Sequence, residues 1–154
     1  KKEAKKRKVD PARVLFAGRV PMAEHLARQR LADLFIDTFS FNAHTTAAEA
    51  LWTGLPVVTK TGQGFAARVA GSLLNAVGLP ELITKNEHDY EMLILELATN
   101  IRKLCEIRKK LAANRLEQPL FDTEQYTKHI EDGYQQAYEN YFEGNSPKTI
   151  TVQK

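Results

Sequence analysis

The sequence predicts an α/β fold: a Rossmann-like parallel sheet with helices on both faces, followed by long helices. Short apolar segments alternate with segments of helical apolar spacing from residue 13 to residue 84. The apolar segments are continuous, which is typical of strands buried on both faces. From Glu87 onward the spacing is helical and charged. In such a sheet, ligands bind where the strands end and the helices begin.

Four strands and three helices are expected in the first half of the chain. Apolar runs predict the strands at 13–18, 34–39, 55–59 and 81–84. Helical spacing predicts the helices at 22–32, 45–54 and 64–77. Gly54 marks the end of the second helix, since glycine readily adopts the left-handed conformation that often ends a helix.

The second half of the chain is predicted to be helical. A charged helix is expected from Glu87 to about Arg115, with a break near Thr99-Asn100. A loop containing Pro119 is expected at 116–123. A final amphipathic helix at 123–142 carries aromatic residues near helical spacing, namely Tyr126, Tyr134, Tyr138, Tyr141 and Phe142. Such a stripe is typical of a core or an interface, so the helix covers either its own domain or another one.

Length and composition are those of one ordinary domain. The chain has 154 residues, 43% of them hydrophobic and 27% charged. Residues 1–142 are predicted to form a single Rossmann-like domain, and residues 143–154 a flexible tail. No apolar stretch approaches the ~20 residues of a membrane span, so no membrane contact is expected.

The basic start, KKEAKKRK, suggests either nucleic-acid binding or the solvated end of a helix. No aromatic residue lies between its lysines to stack on bases, so no nucleic-acid partner is expected. Cys105 is the only cysteine, which suits a reducing compartment and predicts a cytoplasmic protein. Its helical spacing predicts a buried, inert thiol. The chain begins without methionine, inside a predicted helix, and is expected to be a piece of a larger protein.

The most informative segment is 42–58, NAHTTAAEALWTGLPVV. The start of a helix has unpaired N–H groups and a partial positive charge, so it attracts phosphate. His44, Thr45 and Thr46 would add side-chain donors at such a start. Glu49 follows Thr45 by four residues and shares its face, where a carboxylate suits the vicinal hydroxyls of a ribose. The pattern therefore describes a nucleotide site.

An alternative interpretation gives the same residues a purely structural role. Thr46 would cap the helix and Glu49, three residues later, would complete a capping box. The local pattern alone leaves both interpretations open.

Other chemical classes find little support. GQGFAA at 62–67 fits a dinucleotide-binding fingerprint, but the acidic residue at the right distance, Glu81, lies at the wrong end of its strand. Its glycines are better explained by a tight turn and close helix packing. The sequence has no zinc-type Cys/His spacing, no G-x-S-x-G elbow and no P-loop, and no metal is expected.

Five segments in order resemble the nucleotide-sugar half of GT-B glycosyltransferases, and more closely the O-GlcNAc transferases of the bacterial, tetratricopeptide-linked type. They span about Val9 to Phe142 and are GRVPMAEHLARQRLADLFIDT, FNAHTTAAEALWTGLPVVT, AARVAGSLL, LPELITKNEHDYE and PLFDTEQYT. The resemblance implies that the chain is the C-terminal half of a GT-B catalytic region, that the parent carries tetratricopeptide repeats, and that the catalytic residues lie outside this chain.

The resemblance also implies the residues that bind the donor nucleotide: Val20, His25, Arg28, His44, Thr45, Thr46 and Glu49. The Val20 backbone would meet the uracil, while His25 packs on the base and Arg28 helps to hold it. The two threonines, with the histidine before them, would bind the diphosphate, and the glutamate the ribose diol. The family often has aspartate at the glutamate position. Some members have lysine at Met22, so a positive charge is absent here.

The implied reaction is transfer of N-acetylglucosamine from UDP-GlcNAc to Ser or Thr of proteins, with inversion and without a metal or other cofactor. The partners would be a UDP-sugar and a protein acceptor held by the other half, and self-association is possible. One alternative is a SPINDLY-type protein O-fucosyltransferase that uses GDP-fucose. Another is a non-catalytic interaction module whose final helix is a docking surface.

Overall fold

The computed structural model describes residues 1–152, an α/β fold built on one small parallel sheet. Its strands are β1 (Phe35–Ile36), β2 (Val57–Lys60) and β3 (Ile83–Thr84), paired in the order β1-β2-β3. Phe35 lies opposite Val57, and Thr59 lies opposite Ile83. The α-helices of the described residues are α1 (Lys2–Lys6), α2 (Met22–Gln29), α3 (Thr45–Thr53), α4 (Val69–Ala76), α5 (Glu87–Thr99), α6 (Ile101–Glu117) and α7 (Thr123–Phe142). The predicted fold class is confirmed.

The core surrounds β2. Val57, Val58 and Thr59 are all buried. Because successive side chains of a strand point to opposite faces, both faces of β2 are covered. Helices α3, α4 and α5 all contact this strand. The fully buried large side chains around it include Leu51, Leu74, Leu79, Leu82, Leu97 and Leu111.

Helix α3 ends where the sequence predicts. Gly54 has φ +86°, the left-handed conformation that glycine adopts without strain. The Gly54 N–H donates to Leu51 O at 3.1 Å, and the Leu55 N–H donates to Ala50 O at 2.9 Å. These bonds satisfy carbonyls at the end of the helix and turn the chain into β2.

The strand predicted at 13–18 is wrong. Pro11–Arg13 form a 3₁₀ turn, and residues 14–21 have no regular structure. Leu15 is 87% exposed and Phe16 is 78% exposed. A strand forms only when a neighbour accepts and donates its backbone hydrogen bonds, and in residues 1–152 no strand pairs with this segment. The sheet of the described chain therefore has three strands and not four.

The break between α5 and α6 is confirmed. The Asn100 side chain accepts from the Lys103 N–H at 3.2 Å and so caps α6. The expected burial of Cys105 is wrong, because its side chain is exposed. The buried face of α6 carries Leu104, Ile107 and Leu111. Cys105 follows Leu104 directly, and one residue of helix turns a side chain by ~100° away from that face.

Helix α7 begins and ends where the sequence predicts, yet none of its residues is buried. Its five aromatic side chains are all exposed, so this stripe is not part of the core of the described residues. After it, the Asn140 side chain donates to Ser146 O at 3.3 Å, and Val152 lies 3.5 Å from a Cβ built on Gly133. The flexibility of the tail remains a prediction, and its residues 153–154 lie outside the described part.

The basic start forms the short helix α1, which is solvated as one of the two interpretations predicts. Glu3 pairs there with Lys6 at 2.8 Å and with Arg7 at 2.7 Å. Among the helices of residues 1–152, none has both the length and the apolar character that crossing a membrane requires.

Candidate functional site

A cleft of about 690 Å³ opens between the segment before α2, α2 itself and α3. It is lined by Arg19, Val20, Pro21, Met22, His25, Arg28 and Glu49. Four of the seven residues predicted to hold a nucleotide thus line one cavity, although α2 and α3 lie on either side of β1 in the chain. Met22 also lines it, at the position where some family members carry a lysine.

His25 lies between Glu49 and Arg28 in this cleft and contacts both of them. Its Nε2 lies 3.2 Å from Glu49 Oε2, and its Nδ1 lies 2.9 Å from Arg28 Nη2. A guanidinium can only donate, so Nδ1 accepts and the single proton of the neutral ring is on Nε2. That proton points to the Glu49 carboxylate. The ring is therefore held from both edges, which leaves its faces available for stacking.

Arg28 connects α2 to the irregular segment before it. Its Nη1 donates to Gly18 O at 2.8 Å, while its Nη2 donates to His25. This bond holds the backbone that leads to Val20 against the helix. The loop that the sequence implies for contact with a base is thus fixed by the same side chain that orients the histidine.

Glu49 belongs to the cleft and not to a helix cap. Helix α3 begins at Thr45 with His44 as its N-cap, and no cap side chain accepts a helix N–H. Thr46 is then the second helical residue and Glu49 the fifth, so the predicted capping box is wrong. Helix α3 starts two residues earlier than that motif requires. The carboxylate contacts a residue 24 positions away instead.

The three residues predicted to bind phosphate lie at the N-terminal end of α3, outside the lining of the cleft. Thr45 and Thr46 are exposed at the first two positions of α3. The His44 ring stacks on Phe41, with ring centres 4.8 Å apart. Its Nε2 lies 3.4 Å from Ala66 O. The threonines are therefore free to meet a ligand, whereas the histidine already has neighbours.

Asp37 is an important residue to which the sequence analysis gave no role. It is buried at the end of β1, where its Oδ1 accepts from the N–H groups of Thr38 at 2.8 Å and Ala43 at 2.7 Å. Its Oδ2 accepts from Thr59 Oγ1 at 2.6 Å. These bonds fold the loop that carries the chain from β1 to the start of α3. The sequence feature that could have indicated this role is an aspartate directly after a predicted apolar strand.

Tyr90 of α5 also stabilises the turn that follows β1. Its hydroxyl donates to the backbone oxygen of Asp37. Burial, and then the charge of Asp37, raise the pKa of Tyr90 to about 12. The phenol is therefore a neutral donor at physiological pH, and it fixes the end of β1 from which the candidate site is built.

The glycine-rich segment after β2 has a packing role. A Cβ on Gly62 would lie 2.6 Å from the Ala67 Cβ, a distance that real side chains do not reach. The Gly62 N–H also donates to Ala67 O at 2.7 Å. The prediction that a tight turn and close packing explain these glycines is confirmed for Gly62 but not for Gly64, where an added Cβ would meet nothing within 4 Å. Within residues 1–152, no three His, Cys, Asp or Glu side chains are grouped as a metal site requires.

Comparison with known proteins gives consistent matches. The family model described as Glycosyl transferase family 41 matches residues 1–130. A Caenorhabditis elegans UDP-N-acetylglucosamine--peptide N-acetylglucosaminyltransferase is 38% identical over 145 residues, which are 94% of this chain and 13% of that protein. An Arabidopsis thaliana protein, named probable UDP-N-acetylglucosamine--peptide N-acetylglucosaminyltransferase SEC, is 37% identical over 94% of this chain and 15% of its own length.

A solved structure has the same fold. A Thermobaculum terrenum O-GlcNAc transferase mutant aligns with a TM-score of 0.82 and 30% sequence identity. The alignment covers 88% of this chain and 26% of the other. The chain therefore spans only a small part of the length of each of these proteins.

Proposed function

The chain belongs to glycosyl transferase family 41, as its motifs predicted, and we propose that it forms the UDP-GlcNAc-binding half of a protein O-GlcNAc transferase. In this proposal the parent protein transfers N-acetylglucosamine to Ser or Thr hydroxyls of proteins. The transfer inverts the anomeric carbon and uses no metal or other cofactor. A cytoplasmic location belongs to the same proposal.

The observation that supports this proposal best is the cleft at the His25–Glu49 contact. An aromatic ring fixed at its edges suits a nucleobase, and a carboxylate beside it suits a ribose diol. Thr45 lies one helical turn before Glu49, at a helix start that attracts phosphate. Base, ribose and diphosphate would thus lie in the order in which a nucleoside diphosphate carries them.

The acceptor site and the catalytic groups are assigned to the other parts of the parent. Transfer requires an acceptor hydroxyl held in line with the donor carbon, and such positioning supplies several kcal/mol of the barrier. We therefore expect this chain alone to fold and bind UDP without transferring sugar. The absence of a lysine at Met22 reduces the expected affinity, because one positive charge near the nucleotide is missing.

Two other functions remain candidates. A SPINDLY-type O-fucosyltransferase would use the same fold with GDP-fucose, although the similar plant proteins that carry the name SPINDLY are named probable UDP-N-acetylglucosamine--peptide N-acetylglucosaminyltransferases. A non-catalytic interaction module is favoured by the exposed aromatic residues of α7.

A UDP titration separates the binding half from the interaction module. At a UDP concentration 100 times the dissociation constant, binding stabilises the folded chain by about 2.7 kcal/mol and raises its melting temperature. An unchanged melting temperature at millimolar UDP would contradict the proposal. Transfer assays on the full-length parent, with UDP-GlcNAc and GDP-fucose in parallel, then decide the donor sugar. Protein glycosylation by residues 1–154 alone would contradict the assignment of catalysis to the other half.

A further inference from the structure

Gln29 is a buried polar side chain behind the candidate nucleotide cleft. It lies on α2 and is 8% exposed. As placed, its amide nitrogen Nε2 lies 3.0 Å from His25 Nε2, and its amide oxygen Oε1 lies 3.1 Å from Thr53 Oγ1. A buried amide is costly unless both its ends are hydrogen-bonded, so these two contacts account for its presence.

The Thr53 hydroxyl determines which end of the amide faces which neighbour. This hydroxyl has one proton, and Ala50 O lies 2.9 Å away to accept it. Thr53 can then only accept from Gln29, so we exchange the positions of the amide oxygen and nitrogen, which puts the nitrogen toward Thr53 and the oxygen toward His25. The two ends of an amide have the same shape, and their partners decide the orientation.

The His25 ring requires the same orientation independently. Arg28 occupies Nδ1 as a donor, so the only ring proton is on Nε2. An amide N–H cannot donate to a nitrogen that already carries its proton in the ring plane. The His25 N–H therefore has two acceptors, the Gln29 oxygen and Glu49 Oε2, the latter at 3.2 Å.

We propose that Gln29 is a positioning residue that holds the His25 N–H when a nucleotide ribose occupies Glu49. This inference rests on the proposed function. Ribose hydroxyls that donate to Glu49 compete with the His25 N–H for the carboxylate. Without Gln29, that N–H would lose an acceptor in a half-buried site, and the ring would lose its position against the base. With Gln29, the His25 N–H donates to the amide oxygen instead, and the Glu49 carboxylate is free to accept from the diol.

Two substitutions test this role. Gln29→Met keeps the length of the side chain and removes the acceptor oxygen, whereas Thr53→Val removes only the hydroxyl behind Gln29 and keeps that oxygen toward His25. We expect Gln29→Met to weaken UDP and uridine binding by about tenfold, the order of one lost hydrogen bond. Pyrophosphate, which has no ribose or base, should bind as in the wild type. Thr53→Val should bind UDP nearly as tightly as the wild type does.

Calorimetric titration measures these affinities, and denaturant unfolding confirms that each variant is folded. Nitrogen-15 NMR of the His25 ring gives a second measurement, with the resonance assigned through His25→Asn. The Nε2–H form is expected both in the free chain and in the UDP complex.

Equal UDP affinity of wild type and Gln29→Met would overturn the inference, as would an Nδ1–H ring in the free chain. An equal loss of UDP affinity in Thr53→Val would also overturn it, because the effect would then not depend on the acceptor oxygen. If the wild type itself does not bind UDP, both the proposed function and this inference are contradicted. The ring tautomer of the free chain then still reports whether Gln29 and Arg28 hold the histidine as described.

Discussion

Helices α3 and α7 were both predicted from helical spacing, but they have opposite roles in the fold. Helix α3 has nine residues, of which Ala47, Ala50 and Leu51 are buried against the sheet. Helix α7 has twenty residues and buries none. Small residues let α3 pack close to β2, whereas the large aromatic side chains of α7 are exposed. Amphipathic spacing thus indicates a helix, but it does not indicate what the helix covers.

The two helices also differ in how they serve the proposed function. Helix α3 combines core and site, because Glu49 and the exposed threonines lie on the same nine residues as the buried alanines. Helix α7 contributes only an exposed surface. We therefore expect substitutions on α3 to affect folding or nucleotide binding, and substitutions on α7 to affect neither in this chain.

The largest effect is expected for Leu51→Ala. Leu51 is fully buried between α3 and the sheet, so its truncation leaves a cavity. We expect the free energy of unfolding to fall by about 3 kcal/mol. Denaturant unfolding measures this change, with Tyr134→Ala on α7 as the matched control. Similar losses for both variants would break the distinction between the helices.

Glu49→Ala tests the site on α3 apart from its core. Glu49 contacts His25 and lines the cleft, so its removal costs the proposed bond to the ribose diol. We expect UDP binding to weaken by about 1–3 kcal/mol, the value for a hydrogen bond to a charged group. Pyrophosphate binding should stay unchanged, because pyrophosphate has no ribose.

Thr46→Ala is the comparison variant for this test. Thr46 is exposed at the start of α3, and we expect its loss to weaken UDP and pyrophosphate alike. Calorimetric titration distinguishes the two patterns. Equal weakening of both ligands by Glu49→Ala would contradict the assignment of the carboxylate to the ribose.

A buried tyrosine offers a sharper comparison with the exposed tyrosines of α7. In the folded chain the pKa of Tyr90 is raised from 10.0 to about 12, first by burial and then by Asp37. A pKa raised by folding means that the contribution of Tyr90 to stability is complete below pH 10 and is lost as pH rises toward about 12. The wild type should therefore lose stability over this window by more than Tyr90→Phe does.

Urea unfolding at pH 8, 10 and 11 checks this prediction. Below pH 10, Tyr90→Phe should be less stable than the wild type by about 1 kcal/mol, because the bond to Asp37 O is missing. The difference should shrink at pH 11. A difference that stays constant with pH would contradict the role of the Tyr90 hydroxyl.

The smallest effect is expected on α7. Tyr134→Ser and Tyr138→Ser change exposed side chains, so each should alter the free energy of unfolding by less than about 0.5 kcal/mol. UDP affinity should be unchanged. If the exposed face of α7 docks on another part of the parent, the same substitutions should reduce transfer activity restored by adding that part in trans. A marked loss of stability in the isolated chain would show that α7 packs on its own domain.

The sequence alone determined most of the helices and the class of the fold, because these depend on neighbouring residues. Gly54 ended α3 by its own φ, Asn100 separated α5 from α6 by capping, and residues 123–142 formed α7 as predicted. The resemblance to a glycosyltransferase family also implied, as candidates, four residues that line one cleft. These signals act over a few residues, so they can be recognised in a single chain.

Only the tertiary structure decided what depends on residues far apart in the chain. Residues 13–18 have strand-like composition but no strand pairs with them among the described residues, so composition alone could not make them a strand. The Glu49 carboxylate could have joined a capping box, but the register of α3 and the presence of His25 gave it another contact. Asp37 received its role from Thr59, which is 22 residues away. Pairing and side-chain contacts of this kind exist only once the chain has folded, because they are made by residues that the sequence does not place side by side.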